Sequence, residues 1–163
     1  MTYDKHVRTQ VAKALDWLEA NPQRHITGTM ATVGPDGMAI DASSPAATCF
    51  CAMGRILHEM KRSNYFADEV LMPLGIPHSA VMALNDVTDG SHLTRIEAIR
   101  GLFEYAENIP GLAKMPIDEQ ANALNGYVND AMEKILEAER KEREGFFRQK
   151  SVTNWWFLSP VIF

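Results

Sequence analysis

Residues Pro116–Ala138 read PIDEQANALNGYVNDAMEKILEA, and within them Ile117, Ala121, Leu124, Val128, Ala131, Ile135 and Ala138 recur in alternating steps of four and three. That spacing lines the seven side chains along one stripe of a helix, a heptad pattern of three repeats. Glu137 with Lys141, Glu139 with Arg143 and Glu144 with Arg148 follow as four-apart pairs in the favourable order, so the helix is expected to extend toward Arg148. Gly126 weakens it locally. The small alanines on the stripe favour close packing, either against the rest of the chain or against a second copy of it.

Beyond this helix lies NWWFLSPVIF, Asn154–Phe163, in which seven of ten residues are large and apolar and none is charged. A contiguous apolar patch of that size is normally an interaction surface. The expected partner-binding residues are therefore Trp155, Trp156, Phe157, Leu158, Val161, Ile162 and Phe163, joined by Leu124, Val128 and Ile135 from the stripe.

Upstream, Asp4 can cap a first helix whose apolar positions Val7, Val11, Leu15 and Leu18 keep helical spacing until Asn21-Pro22 stops it. His25–Val33 is rich in Thr and β-branched residues, Gly34–Gly37 reads GPDG, and Met38-Ala39-Ile40 follows, which predicts a short hairpin. Ser43-Ser44-Pro45 has the form of an N-cap followed by Pro at the first helical position, predicting a second helix to about Lys61. On that helix Cys49, Phe50, Met53, Ile56, Leu57 and Met60 share a core-facing arc. Cys51, Arg55, His58 and Glu59 fall on a mixed polar face. Thr94-Arg95-Ile96-Glu97 has capping-box spacing and opens a helix ending near Asn108.

The fold class expected is mainly α with a small β-hairpin: a compact helical domain over residues 1–108, a linker and long heptad-patterned helix over 109–150, and an apolar C-terminal arm over 151–163. With 46% hydrophobic and 23% charged residues the composition is that of an ordinary globular protein. A net charge of -5 argues against broad contact with nucleic-acid phosphate. No signal peptide or membrane span is expected, which points to a cytoplasmic or virion location.

Catalytic signatures are sparse. Cys49 and Cys51 sit one residue apart, too close for an ordinary disulfide and poorly spaced for zinc. No histidines pair at metal-ligand spacing, so neither metal nor cofactor is expected. The polar run NDVTDGSH, Asn85–His92, invites a calcium loop but fails on register: aligning Gly90 with the obligatory glycine puts Val87 at a ligand position and Ile96 where a bidentate Glu belongs. Side-chain turns built by Asp86, Thr88 and Asp89 account for it instead. The enzyme alternative is a Cys51-dependent hydrolase or transferase, with His25 or His92 as base and Asn85 or Asp86 as orienting group. Against it, Cys51 is expected inside a helix, away from the N-terminal dipole that promotes a thiolate.

Cys51-Ala-Met-Gly54 after the acidic turn at Asp41, then Asn85-Asp86, then the Thr-capped TRIEAIRGLFEYA, together resemble a family of uncharacterised bacterial and phage proteins. The resemblance covers about residues 4–107. It implies a small domain in which a hairpin leads to a Cys-x-x-Gly helix and an Asn-Asp turn precedes an amphipathic helix; it transfers no functional residue. The expected function is a non-enzymatic structural or interaction protein, most concretely a phage virion or similar assembly component that docks through its C-terminal helix and arm onto protein, as a homo-oligomer or larger assembly. A phage or bacterial regulator that binds and inhibits a host protein is the further alternative.

Overall fold

The computed structural model describes residues 2–158, with side chains through Phe146. Five α-helices and one antiparallel strand pair make up its main elements: α1 Tyr3–Ala20, β1 Ala31–Thr32, β2 Cys49–Phe50, α2 Ala52–Glu59, α3 His78–Asn85, α4 His92–Glu107 and α5 Ile117–Leu158. The fold is mainly α with a small β-hairpin, ending in a long helix.

Helix α1 buries Val7, Val11, Ala14, Leu15 and Leu18, the face its periodicity predicts. Thr2, one position outside the helix, is the cap and accepts from the Lys5 amide at 3.4 Å. Asp4 instead lies in the first turn, where a carboxylate suits the helix dipole. One continuous apolar cluster runs from Val7 through Phe50, Ile56, Leu84 and Ile99 to Ile135.

The GPDG segment makes the expected turn. Val33 N–H donates to Met38 O at 3.1 Å and Ile40 N–H to Ala31 O at 3.0 Å. The regular ladder, however, pairs β1 with β2: Ala31 faces Phe50 and Thr32 faces Cys49.

That pairing corrects the expected second helix. Ser43-Ser44-Pro45 forms a turn in which Ser44 caps only the Ala46 amide, at 3.2 Å. Thr48–Phe50 is extended because its backbone is engaged on both sides: Thr48 N–H donates to Thr32 O, and Phe50 O accepts from Ile26 N–H, each at 3.0 Å. The helix starts only at Ala52, with Cys51 as its N-cap. Cys51 is therefore at the helix N-terminus and buried, not on an open polar face. His58 is held too, its Nδ1 2.7 Å from Ala42 O and its ring against Phe50. Asp41 fastens the preceding loop, accepting from the hydroxyls of Ser43 and Ser63 and from the Asn64 amide. Those hydroxyl donors hold its carboxyl down at about 2.

Helix α4 also starts earlier than Thr94. Its N-cap is Ser91, in a left-handed conformation at φ 53°, and the Ser91 amide donates to Glu142 of α5 at 3.2 Å. The α5 stripe faces inward only over its middle: Leu124, Val128, Ala131 and Ile135 are buried in the chain's own core, while Ile117 is exposed. Gln120 is buried in place of the neighbouring Ala121 and donates to Leu112 O at 3.2 Å. Leu124, Val128 and Ile135 thus pack within the chain and are not an outward partner face. From Arg140 to Phe146 every residue of α5 is exposed.

Candidate functional site

Polar chemistry concentrates where the loop after α1, the start of α2, the end of α3 and the start of α4 meet. Its centre is Asn85, fully buried as the last residue of α3. Asn85 Oδ1 accepts from the Ala52 amide at 2.9 Å and lies 2.5 Å from His25 Nε2. Its Nδ2 donates to Ile26 O at 3.1 Å and to Asp86 Oδ1 at 2.7 Å. A side-chain amide has two donors and one acceptor oxygen with two lone pairs, so every capacity is used.

Asp86 Oδ1 also accepts from the Gly28 amide at 3.2 Å, and the Thr27 hydroxyl donates to Asp89. Gly28 sits at φ 80°, a left-handed conformation that a glycine adopts without strain. The Asn-Asp pair thereby pins the loop His25–Gly28 against α2 and α3.

The turn itself is organised by Arg95, which is only 2% exposed. Its Nη1 donates to Asn85 O at 2.7 Å, its Nε to Gly90 O at 2.8 Å and its Nη2 to Asp89 O at 3.2 Å. The polar run that suggests a calcium loop therefore closes its carbonyls around the chain's own guanidinium. Burial disfavours that charge, and Asp89, Asp86, Glu139 and Glu142 oppose the effect. Arg95 is absent from the sequence-derived candidates: nothing in its local pattern separates it from a surface arginine.

His25 and His92 meet with their Nδ1 atoms 2.8 Å apart. Asn85 Oδ1 can only accept, so the proton of neutral His25 resides on Nε2. His25 Nδ1 is then a bare lone pair that accepts from His92 Nδ1–H. This chain of donors leaves the remaining lone pair of neutral His92 on Nε2, an atom that is buried and meets no well-aligned hydrogen-bond partner among the described residues. Burial first and Arg95 second hold His25 down at about 4, and the same two influences lower His92.

The three residues of the enzyme alternative, Cys51, His92 and Asn85, converge on this region but perform different tasks. Cys51 Sγ accepts from the Gly54 amide at 3.3 Å and lies 3.8 Å from Met30 Sδ. Burial pushes its thiol up to about 11. A nucleophilic cysteine needs the opposite shift. Alkylation of Cys51 by iodoacetamide at pH 7 is expected to run on the order of 10²-fold slower than that of a free thiol, from the thiolate fraction alone. Peptide mass spectrometry across a pH series reads this directly; a rate that saturates near neutrality would restore the nucleophile.

Among the described residues no group of three or more His, Cys, Asp or Glu side chains is placed to hold a metal ion, and no helix is long and apolar enough to cross a membrane. A separate surface groove of about 300 Å³ runs between α4 and α5, lined by Thr94, Glu97, Tyr127, Asp130 and Lys134. Of the partner-binding candidates, Trp155–Leu158 lie on α5 with side chains outside the described set, and Val161, Ile162 and Phe163 lie outside the described residues.

Fold and site together define a mostly helical domain knitted by a buried polar node. The chain matches no family model, no curated protein and no solved structure.

Proposed function

We propose that this protein is a non-enzymatic interaction protein that docks onto another protein subunit through the C-terminal part of α5 and the apolar residues beyond it, most concretely as a component of a phage particle or comparable assembly. One observation carries the proposal: α5 runs to Leu158, well past Glu142, which accepts from the amide of the α4 cap Ser91, and leads into an uncharged apolar stretch. Residues 143–158 span roughly 24 Å at the helical rise. The stripe residues Leu124, Val128 and Ile135 are consumed internally, which leaves the distal segment to recruit a partner. The polar node supports the non-enzymatic side, because its amide, guanidinium and thiol are occupied in holding backbone.

Removing everything after Lys150 tests this. The full chain is expected to sediment as an oligomer or to require a partner for solubility, and the truncated chain to be a soluble monomer. Two soluble monomers of equal stability would overturn the proposal.

A further inference from the structure

The His25–His92 contact is a hydrogen bond between two titratable rings, His25 buried and His92 half-buried, at the junction of four elements, and its donor and acceptor are assigned by the fixed acceptor Asn85 Oδ1. We propose that the two histidines form a proton-operated latch, closed while the pair carries at most one extra proton and open once both rings are cationic.

Closed, the latch ties the loop after α1 to the first turn of α4. The first added proton has one free lone pair to take, His92 Nε2. At the C-terminal end of α1 the carbonyls of Leu18 and Glu19 and the Glu19 carboxylate favour a cation on His92. The singly protonated pair therefore keeps its Nδ1–H···Nδ1 bond. A second proton must go to His25 Nδ1, where it would confront the His92 Nδ1–H, and the bond is lost.

Charges on every packed element bear on the pair. Arg95 on α4 opposes both protonations. Glu19 on α1 favours the first. Asp86 and Asp89 in the turn, with Glu139 and Glu142 on α5, surround Arg95 and moderate its effect. Both rings are held below the ordinary histidine value, so the folded protein binds fewer protons than the unfolded chain below about pH 6.5. The pair's contribution to stability is accordingly full above that pH and is lost as the pH drops through the range down to about 4, where His25 itself takes its proton.

Nitrogen-15 imidazole spectra of the full chain over this range decide the matter. At neutral pH His25 is expected as the Nε2–H tautomer and His92 as the Nδ1–H tautomer, with coupled steps on acidification. The amides of Ile26–Met30 and of the first turn of α4 should move with the second step only. In His92→Gln the amide can still donate to His25 Nδ1 but takes no proton, so the His25 step should rise by about half a pH unit or more. Opposite tautomers, independent titration of both rings near the ordinary value, or an unshifted loop transition in His92→Gln would each overturn the latch. If that variant does not fold, the tautomers and titration of the unsubstituted protein settle the question alone.

Discussion

Gly54→Ala is expected to destabilise the protein by about 4 kcal/mol, the range of the most damaging single substitutions. A Cβ at this position would sit 1.8 Å from the Met30 carbonyl oxygen and 2.6 Å from its carbon, both backbone atoms. The oxygen cannot retreat freely, because it accepts from the Cys51 amide at 3.1 Å, next to the β1–β2 pair. Relieving the clash means moving α2 off the strand pair, and α2 buries Met53, Ile56 and Leu57. Typical domains hold only about 5–15 kcal/mol in total, so most of the margin is at risk. Gly126 is the internal control: open space surrounds its Cβ position on α5, so alanine there should not destabilise. Urea midpoints of the two variants compare the sites. Equal midpoints would show that α2 can shift to accommodate the extra carbon.

Asn85→Ala should cost about 3–5 kcal/mol, since it strands several buried polar groups at once and each unsatisfied group costs about 1–3 kcal/mol. The Ala52 amide, Ile26 carbonyl and His25 Nε2 would all lose their partner. Asn85→Asp separates shape from hydrogen bonding. It keeps the acceptor for Ala52 and His25 but sets a second oxygen against Ile26 O and the Asp86 carboxylate, so it should be destabilising at neutral pH and partly recover in mild acid. Thermal unfolding of both variants, with hydrogen exchange at the Ala52 amide, reads the effect. Exchange at Ala52 unchanged in Asn85→Ala would show that the amide does not depend on this side chain.

These two substitutions give the resemblance motifs a physical content. In Cys-x-x-Gly the cysteine caps α2 and the glycine admits the Met30 carbonyl. In Asn-Asp the asparagine joins four elements and the aspartate closes the loop at Gly28. Both motifs serve the architecture.

The inward face of α1, the existence of a long α5, the turn at Gly34–Gly37 and the core identity of Met53, Ile56 and Leu57 follow from the residues alone, whereas Cys49 and Phe50, expected in the core on a helix, are buried on a strand. Each depends on spacing within one or two turns of chain, and helical periodicity is a local property. The start of α2 does not follow, because Ser43-Ser44-Pro45 is an equally good local signal and loses only to strand pairing with residues near Thr32. Nor does the role of Arg95, whose targets are the carbonyls of a turn it helps to shape. The partners of Asn85 lie 33 residues away at Ala52 and 60 away at His25. A buried polar group must find its hydrogen bonds wherever the fold supplies them. The sequence by itself determined the inward face of α1 and the presence of a long C-terminal helix; only tertiary packing decided where α2 and α4 begin, that the α5 stripe is satisfied by its own chain, that Cys51 is a buried cap, and that two distant histidines share a hydrogen bond.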